Sequence, residues 1–553
     1  MTAALQFTAD THSLEGNQIM GRRAAGAAFL RAVVEGRQGA PVVGYVSGPT
    51  HAELFTRQVR AIDPGAEAHW IERGRHDQLA RIGVLQLPDP RLAVEARLRL
   101  RSGSAGFSLC GITHTLSSAG ILEALGAMVF EPVMPWDAVI CTSSVAREVV
   151  SASLGEAAEL ARWRLGGVTI PDLPQLPIIP LGIHAADWQA GAGGRHGARQ
   201  RLRIDADSIV VLFAGRLSFA AKAHPFQMYA ALQAVTERTG KPITLLLSGQ
   251  FYTKPIEEGF RSFAQAVCPG VDYRHVDGAD PELYAAAYAA ADIFMSLSDN
   301  PQETFGITPL EAMAAAIPVL VSDWNGYRDT VRDGIDGFRI PSWAPSAGAG
   351  DAIARAYEID GDYDQHSSRT STTVSVDRGA LIERLALLVL DPALRRTMGD
   401  AARERVLAEF DWPVVYRQYR ALWDELDTVR RHRSADVVVS RWLANAPAAH
   451  HAHDDPFRRF AAYPTRAIDA ATIVRTVPGA NRAAYETLIG HPFFGFWRTK
   501  PDLVEKLLEA AIVPLSITML AAAIERPVEA TIVISARLAK MNLLVVEART
   551  AAI

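Results

Sequence analysis

Short apolar runs separated by helical patterns recur along most of the chain, and they constrain its fold more than any other feature. Each run is a continuous stretch of β-branched residues or leucine bounded by proline, glycine or polar residues, as buried strands are. Strands that alternate with helices favour a parallel, doubly wound α/β sheet. The predicted strands are residues 41–47, 80–87, 108–115, 136–143, 176–182, 208–215, 243–249, 272–276, 292–298, 317–323 and 337–341.

A segment rich in glycine and alanine, residues 185–200, divides this alternation into two halves. It lacks a periodic apolar pattern and therefore predicts a linker between domains. We expect one Rossmann-like domain over residues 1–185 and a second over residues 186–434, with a cleft between them. The last helix of the second domain is expected to cross back to the first.

Residues 435–553 form a third region with a different pattern. A polar connector precedes three short helical patterns and an apolar strand at residues 543–548, an order that resembles a winged-helix module. The basic residues of its candidate recognition segment are interleaved with Glu525 and Glu529, so attraction to nucleic-acid phosphates would be weak. We therefore expect this region to contact a protein partner or a second copy of the chain rather than nucleic acid.

The overall composition narrows the class of protein. The chain has 61 acidic and 56 basic residues and a formal net charge of -5, which does not fit a broadly basic nucleic-acid binder. Its 49% hydrophobic and 21% charged residues are typical of a folded, soluble protein. Cys110, Cys141 and Cys268 are scattered and lack metal-ligand spacing, so we expect neither disulfides nor a zinc cluster, and a reducing compartment fits.

Targeting and membrane-spanning patterns are not evident in the sequence. Residues 1–18 carry acids and polar residues where a secretory signal needs an apolar core. The longest apolar run, residues 510–524, is shorter than the roughly 20 residues of a membrane span, and Pro514 interrupts it. We predict a cytoplasmic protein, and the sequence is compatible with peripheral contact at the inner face of the membrane.

A connector rich in histidine and aspartate offers side chains that can bind metals. Because it lies in a polar segment, we expect a solvated linker rather than a metal site. The side chains concerned are His450, His451, His453, Asp454 and Asp455.

The strongest chemical signal lies in the segment SLSDNPQETFGITPLEAMA, residues 296–314. A strand ends, a loop follows, and a helix then begins whose free N–H groups can bind an anion that Gly306 lets approach closely. Glu303 and Glu311, with seven residues between them, can face one ligand from the loop and from the helix. Carboxylates are good acceptors for pairs of sugar hydroxyls. Taken alone, two glutamates here are better explained as a complement to the helix dipole, because acidic first turns are common.

A second constellation occupies the segment VLFAGRLSFAAKAHPF, residues 211–226. A buried strand runs into Gly215, which is followed by Arg216 and, six residues later, Lys222. Two cations at the carboxyl end of a strand would neutralise a diphosphate leaving group. An isolated arginine and lysine would otherwise be expected on a solvated surface.

These two motifs together resemble retaining glycosyltransferase family 4. Members have an E-x7-E signature followed by a small-residue helix, a strand that begins at proline and a glycine-containing loop, and Pro318 and Gly326 stand at those places. They also have a strand, a Gly-Arg-Leu sequence and a loop with a lysine. The resemblance covers residues 15–430 and implies the GT-B fold, two Rossmann-like domains facing a cleft, with the acceptor domain first and the donor domain second.

The resemblance assigns roles to the residues of both motifs. Arg216, Lys222 and the amides near Gly306 would hold the diphosphate of the donor. Glu303 would bind hydroxyls of the donor sugar, and Glu311 would bind those of the ribose. The donor-binding set that it implies is Gly215, Arg216, Lys222, Glu303, Thr304, Phe305, Gly306, Ile307 and Glu311.

On the N-terminal side the resemblance implies that His114, which follows a predicted strand, faces the donor sugar. A lone histidine is otherwise more often structural. Gly21 and Arg22 match an acceptor-side loop, although the strand expected before that loop is poorly developed in the sequence. The catalytic set that the resemblance implies is His114, Glu303, Arg216 and Lys222.

The function implied is transfer of a hexosyl group from a nucleotide-diphosphate sugar with retention of configuration. The acceptor would be a hydroxyl of a glycan, of a lipid-linked molecule or of another compound. By analogy, the reaction would belong to bacterial surface or exopolysaccharide synthesis. Family members need no metal or cofactor and use the leaving phosphate, not a carboxylate nucleophile, to deprotonate the acceptor. Two alternatives stay open: a non-catalytic nucleotide-sugar-binding scaffold that recruits partners through residues 435–553, and another enzyme on this fold, such as an epimerase or a phosphorylase.

Overall fold

A computed structural model describes residues 2–12, 21–189, 194–220, 222–495 and 498–547. It describes the backbone but not the side chains of Gly21 and Arg22. The chain divides into two compact units, Met1–His450 and His451–Ile553. None of the described helices is both long and apolar enough to cross a membrane.

The first unit contains two sheets, and the first sheet has six parallel strands. They are β1 (Ala4–Gln6), β2 (Val42–Val46), β3 (Ala68–Glu72), β4 (Val84–Gln86), β5 (Ser108–Ile112) and β6 (Ala138–Ile140). Their order, β3-β2-β1-β4-β5-β6, is that of a Rossmann fold. Central β1 pairs with β2 on one side, where Leu5 lies opposite Gly44, and with β4 on the other.

Helices connect these strands and cover both faces of the sheet. They are α1 (Ala9–His12), α2 (Gly21–Glu35), α3 (Pro49–Ile62), α4 (His76–Ile82), α5 (Leu92–Arg99), α6 (Ala119–Ala127) and α7 (Ser144–Leu165). A buried ion pair joins α5 to the turn before β6, because Arg99 donates two hydrogen bonds of 2.7 Å to the Asp137 carboxylate.

Two predicted strands of this half need correction. Residues 80–82 end helix α4, which Gly83 terminates with a φ of +93°, so the strand begins only at Val84. The strand predicted at residues 176–182 is wrong, since isolated bridges alone join this part of the chain to the sheet. Its prolines, Pro177 and Pro180, have no N–H to donate to a ladder.

The second sheet repeats the strand order of the first. Its strands are β7 (Ile209–Ala214), β8 (Ile243–Gly249), β9 (Asp272–Asp277), β10 (Ile293–Ser296), β11 (Val319–Ser322) and β12 (Gly337–Ile340). Their order is β12-β11-β10-β7-β8-β9, and all neighbours are parallel. All six strands predicted for this half are confirmed.

The helices that accompany the second sheet include one that lies in the segment predicted as a linker. They are α8 (Gly194–Arg201), α9 (Phe226–Thr239), α10 (Lys254–Val267), α11 (Pro281–Ala290), α12 (Ile307–Ala314) and α13 (Tyr327–Thr330). Much of the predicted linker at residues 185–200 is therefore helical, with a 3-10 turn at Ala185–Trp188 and then α8. Helix α8 is fixed by Arg199, which donates to the Asp292 carboxylate at 2.6 Å.

A small inserted module follows β12. Strands β13 (Ser342–Trp343) and β14 (Ser375–Val376) pair antiparallel at its base. Between them lie α14 (Asp351–Asp360) and α15 (Tyr363–Ser371).

Four helices end the first unit, namely α16 (Arg378–Leu390), α17 (Pro392–Arg405), α18 (Trp412–Ala435) and α19 (Val437–Ala444). Helix α18 packs against the first sheet. Its Trp423 donates a 3.0 Å hydrogen bond to Gln86 of β4, and the Leu426 carbonyl accepts one of 3.4 Å from Ser108 of β5. The chain thus returns from the second sheet to the first before the unit ends.

The second unit is a small antiparallel sheet covered by helices. Its elements are α20 (Pro456–Arg459), β15 (Ile473–Thr476), α21 (Arg482–Ile489), α22 (Pro501–Ala510), β16 (Leu515–Ser516), α23 (Ile517–Ala523), α24 (Val528–Lys540) and β17 (Leu544–Glu547). The strand order is β16-β15-β17. The three predicted helices correspond to α22, α23 and α24, and the middle strand of the sheet comes from before them in the chain.

Candidate active site

The two sequence motifs meet at the carboxyl edge of the second sheet. Strands β7 and β10 are parallel neighbours, so the segments that follow them leave the sheet side by side. We call residues 215–224 the cation loop and residues 297–306 the Glu303 loop. The structure describes both, except for Ala221.

The cation loop leaves β7 through a tight turn at Gly215. This residue has a φ of +134°, a conformation that favours glycine. Its N–H donates to the Ser248 carbonyl at 2.9 Å, and a Cβ at Gly249 would lie only 1.8 Å from the Gly215 carbonyl oxygen. Close backbone contact with β8 therefore directs the following residues out over the edge of the sheet.

The two cations of this loop lie in different surroundings. Lys222 donates from Nζ to Glu303 Oε2 at 2.7 Å. Arg216 is partly buried, and its guanidinium makes no hydrogen bond or ion pair with any residue that the structure describes. The loop thus presents one cation already paired with a carboxylate and one that can accept an anion directly.

Glu303 is almost completely buried, with 8% of its side chain exposed. Burial acts to raise the pKa of its carboxyl, but the Lys222 ammonium opposes this and brings the pKa below its ordinary value. Its Oε1 also accepts from the Phe305 N–H at 3.3 Å. The carboxylate is therefore held in its ionised form at the end of the Glu303 loop.

Glu311 lies in α12 and has no cation partner among the described residues. Its Oε2 accepts hydrogen bonds from the hydroxyls of Tyr284, at 2.9 Å, and Tyr288, at 2.6 Å. Burial raises the pKa of its carboxyl, which the two tyrosine hydroxyls only partly offset. The ring of Trp188 packs on Tyr288 with 4.6 Å between centroids, so an aromatic wall supports this end of the site.

The sequence reasoning missed both tyrosines. They stand four residues apart on α11, which places them on one face of the helix. The pattern PELYAAAYAAA contained this spacing, although it did not indicate which carboxylate the hydroxyls would meet.

The Glu303 loop ends at Gly306 and continues directly into α12. Gly306 has a φ of +90°, and a Cβ there would lie 2.1 Å from the ring of Tyr327. Ile307 begins the helix, where the first N–H groups have no partners within the helix. Phe305 is buried, with 1% exposed, so its side chain belongs to the core and only its backbone can meet a ligand.

The structure brings His114 to the Glu303 loop. Its carbonyl accepts a 2.8 Å hydrogen bond from the Thr304 hydroxyl, and the Thr304 carbonyl accepts one of 2.9 Å from Ser143. A third contact closes the same cleft, because the Asp329 carboxylate accepts from the N–H and the hydroxyl of Ser144 at the start of α7. The two sheets therefore face each other with the predicted histidine and donor residues on opposite sides.

The acceptor-side residues Gly21 and Arg22 lie in the first turn of α2, and their side chains are outside the described part of the chain. The strand that looked poorly developed is present as β1, only three residues long. Near it, a Cβ at Gly26 would lie 2.1 Å from the Thr11 carbonyl oxygen, so α2 packs tightly on α1. A pocket beside these helices is lined in part by Phe29, His114 and Trp412.

Two further residues of the Glu303 loop were not singled out in the sequence. Asp299 is buried and accepts a 2.9 Å hydrogen bond from the His224 N–H, while its Oδ1 has no hydrogen-bond partner among the described residues. Burial raises the pKa of its carboxyl to about 7. Asn300 donates at 2.7 Å to the Lys222 carbonyl. These bonds fix the backbone of the cation loop at Lys222 and at His224, two residues further on.

Among the residues that the structure describes, no group of three or more histidine, cysteine, aspartate or glutamate side chains is arranged to hold a metal ion. The connector does not behave entirely as the predicted solvated linker. His450 is largely buried and approaches the Glu131 carboxylate at 3.6 Å.

Comparison with known proteins finds a similarity that covers about a third of the chain. Residues 195–370 match the family model "Glycosyl transferases group 1". This segment comprises the second sheet, the cation loop and the Glu303 loop.

Two curated relatives share the name D-inositol 3-phosphate glycosyltransferase. The protein from Acidothermus cellulolyticus is 29% identical over 187 residues, which cover 33% of this chain and 40% of the relative. The protein from Streptomyces avermitilis is 32% identical over 162 residues, covering 28% of this chain and 34% of the relative. The alignments thus span well under half of each relative.

The fold resembles solved structures over a larger part of the chain. The crystal structure of a glycosyltransferase from Rickettsia africae superposes with a TM-score of 0.51 and 12% identity, covering 77% of this chain and 98% of that one. The GT-B fold expected from the sequence is confirmed by this likeness and by the two six-stranded parallel sheets.

Proposed function

We propose that the chain is a glycosyltransferase that takes its sugar from a nucleotide-diphosphate sugar. One observation carries the proposal: the Lys222–Glu303 ion pair lies beside Arg216 and the start of α12, and His114 lies on the opposite side of the cleft. Arg216, which has no partner among the described residues, and the start of α12 suit a diphosphate, and the buried, ionised Glu303 suits the hydroxyls of a sugar. The match of residues 195–370 to group 1 glycosyl transferases supports the same conclusion.

The diphosphate of the donor is assigned to Arg216, Lys222 and the first amides of α12. As the bond to the sugar breaks, negative charge grows on the leaving phosphate, and fixed cations and N–H groups stabilise that charge. Lys222 would then be shared between Glu303 and the phosphate. Arg216 does not have to leave a partner among the described residues before it binds.

The two glutamates are assigned to hydroxyl groups of the donor. Glu303 is ionised and can accept from hydroxyls of the sugar. Glu311 uses Oε2 for the two tyrosines, and no described residue bonds to its Oε1, which is left to accept from the ribose. The tyrosines hold the carboxylate in one orientation and so fix the distance between the two ends of the donor.

The reaction is proposed to retain the configuration of the sugar, without a metal ion and without a cofactor. Glu303 is paired with Lys222, which does not favour its use as a nucleophile. The departing phosphate would take the proton of the acceptor hydroxyl, and His114 would orient the sugar. Contacts of Thr304 and Asp329 across the cleft would exclude water, which competes with the acceptor.

The acceptor is proposed to be a hydroxyl of a glycan, of a lipid-linked molecule or of another compound. The reaction is proposed to belong to bacterial surface or exopolysaccharide synthesis, in the cytoplasm at the inner face of the membrane. The relatives are named for D-inositol 3-phosphate, a polyhydroxylated acceptor with an anionic group. The second unit, His451–Ile553, is proposed to hold a partner protein or a second copy during this synthesis.

A thermal-shift panel of UDP-, GDP-, ADP- and dTDP-sugars on the purified full-length chain tests the proposal. A donor that binds only the folded protein raises the melting temperature. We expect one nucleotide to do so and the shift to vanish in Glu311→Ala, while the exposed-site control Glu159→Ala keeps it. No shift with any donor, together with no sugar transfer or donor hydrolysis, would overturn the proposal.

A further inference from the structure

Helix α15 of the inserted module contacts both sides of the cleft from one face. Tyr363 and Ser367 are four residues apart and therefore lie on the same side of the helix. The Tyr363 hydroxyl lies 2.6 Å from the Ser117 hydroxyl, and Ser367 donates to the Ala220 carbonyl at 2.7 Å. Ser367 is buried, with 2% exposed.

These two bonds reach the loops that carry the candidate catalytic side chains. Ser117 lies three residues after His114, in the segment after β5 that we call the His114 loop, residues 113–118. Ala220 lies two residues before Lys222 in the cation loop. One face of α15 thus joins the histidine of the first sheet to the lysine of the second.

Neighbouring contacts make this connection stiff. The ring of His366 stacks on Tyr357 of α14, with 4.4 Å between centroids and 19° between planes. The Tyr357 hydroxyl accepts a 3.4 Å hydrogen bond from the N–H of Ala119. At the base of the module, Gln227 of α9 exchanges two hydrogen bonds with the backbone of Val376. Hydrogen bonds therefore hold the helix pair both at Val376 and at Tyr357.

The Glu303 loop also contacts both of these loops, the His114 loop through Thr304 and the cation loop through Glu303, but it is assigned to the donor itself. Its contacts must change when a donor arrives, because Lys222 is then shared with the phosphate. Helix α15 touches the loops from outside the residues assigned to the donor. It can keep their spacing constant while the Glu303 loop rearranges.

We propose that Tyr363 and Ser367 are positioning residues, and that α15 couples the cation loop to the His114 loop so that donor binding on one sheet sets the position of His114 on the other. The role in catalysis rests on the proposed function. The coupling itself is a property of the fold and can be measured without turnover.

Amide hydrogen exchange of the full-length chain, first without nucleotide, tests the coupling. Loss of one partly buried hydrogen bond changes a local opening equilibrium by about fivefold. We expect peptides that cover the His114 loop to exchange about fivefold faster in Tyr363→Phe than in the wild type. The matched control Tyr463→Phe removes an exposed hydroxyl of the second unit and should leave these peptides unchanged.

Ser117→Ala removes the same bond from its other end, together with a 3.3 Å contact between the Ser117 and Thr115 hydroxyls, and it provides a second variant if Tyr363→Phe misfolds. It should reproduce the faster exchange, and the double variant should exchange no faster than Ser117→Ala alone. Exchange of the His114 loop at the wild-type rate in both single variants would overturn the proposal.

Nucleotide binding gives the second readout, with UDP, GDP, ADP and dTDP as the probes. The nucleotide that binds the wild type should slow exchange in both loops, whereas in Tyr363→Phe it should slow exchange in the cation loop alone. Equal protection of both loops in that variant would overturn the coupling. If none of the four binds the wild type, the proposed function fails, and the nucleotide-free comparison still decides the role of α15.

For turnover, Tyr363→Phe should lower kcat about fivefold and leave the KM of the donor near its wild-type value, because the cation loop still binds the diphosphate. A rise in donor KM at unchanged kcat would instead indicate a merely structural contact at the donor site and would contradict the assignment.

Discussion

The surroundings of Glu303 and of Glu311 differ although the two residues belong to one short segment. Glu303 is paired with an ammonium, which lowers the pKa of its carboxyl, and Glu311 is held by two tyrosine hydroxyls in a site that raises its pKa. Pairs of groups whose pKa values are driven apart commonly divide the tasks of an active site. The difference teaches that the sequence spacing of two carboxylates says little about their charge. Their charge depends on partners from distant parts of the chain.

The largest effect should follow from removing the charge of Glu303. In Glu303→Gln, kcat/KM for sugar transfer should fall by about 10²–10³-fold, because the buried charge proposed to bind the donor sugar is lost. Steady-state kinetics with the donor found by the thermal-shift panel measures this. The exposed control Glu159→Gln should retain the wild-type rate, and a Glu303→Gln rate within threefold of wild type would contradict the contrast drawn between the two glutamates.

A smaller effect on stability should follow from removing the partner of Glu303. Lys222→Met leaves a buried carboxylate without its cation, and we expect the melting temperature to fall by about 1–3 °C. The loss stays modest because a third of the Lys222 side chain is exposed. Adding Glu303→Gln should restore most of the melting temperature but not the activity. A double variant that melts lower than Lys222→Met would show that the pair is not coupled.

The smallest effect concerns pH. Glu311, with its raised pKa, takes up a proton before Glu303 as the pH falls, so the donor KM should rise first and kcat should fall only at lower pH. In Glu311→Gln the KM at pH 7 should increase about two- to fivefold, and its acid rise should disappear. A pH series of KM and kcat for both proteins tests this, and an unchanged acid rise would assign it to another group.

The same pKa shifts have opposite consequences for stability. For Glu303, the folded pKa is lowered, so its stabilisation is present above the ordinary pKa and is lost as the pH falls through the lowered one. For Glu311, the folded pKa is raised, so its contribution is greatest below the ordinary pKa and is lost as the pH rises through the raised one.

The second sheet could be predicted from the sequence more completely than the first. Strands such as β7, Ile209–Ala214, are buried on both faces and therefore form unbroken apolar runs. Two strands of the first sheet were not predicted, and the reasons are physical. Strand β1 has only three residues, and β3 is an edge strand whose exposed His69 and Trp70 interrupt the apolar pattern.

The sequence motifs predicted which residues form the candidate site but not the contacts between them. The motifs identified Lys222 and Glu303 separately, yet these residues are 81 positions apart, and only the parallel pairing of β7 with β10 brings their loops together. Tyr288 is 23 positions from Glu311 on another helix. Such partners depend on tertiary packing, which local spacing does not encode.

The short ladder formed by β13 and β14 has a consequence for the length of the segment between these strands. Ser342 lies opposite Val376 and Trp343 opposite Ser375, so the chain enters and leaves residues 344–374 at neighbouring backbone positions, about 5 Å apart. A segment with adjoining ends can be exchanged without moving the strands that flank it. The chain can thus close at the base of the module with a short turn, so the strands that flank residues 344–374 do not fix the length of that segment.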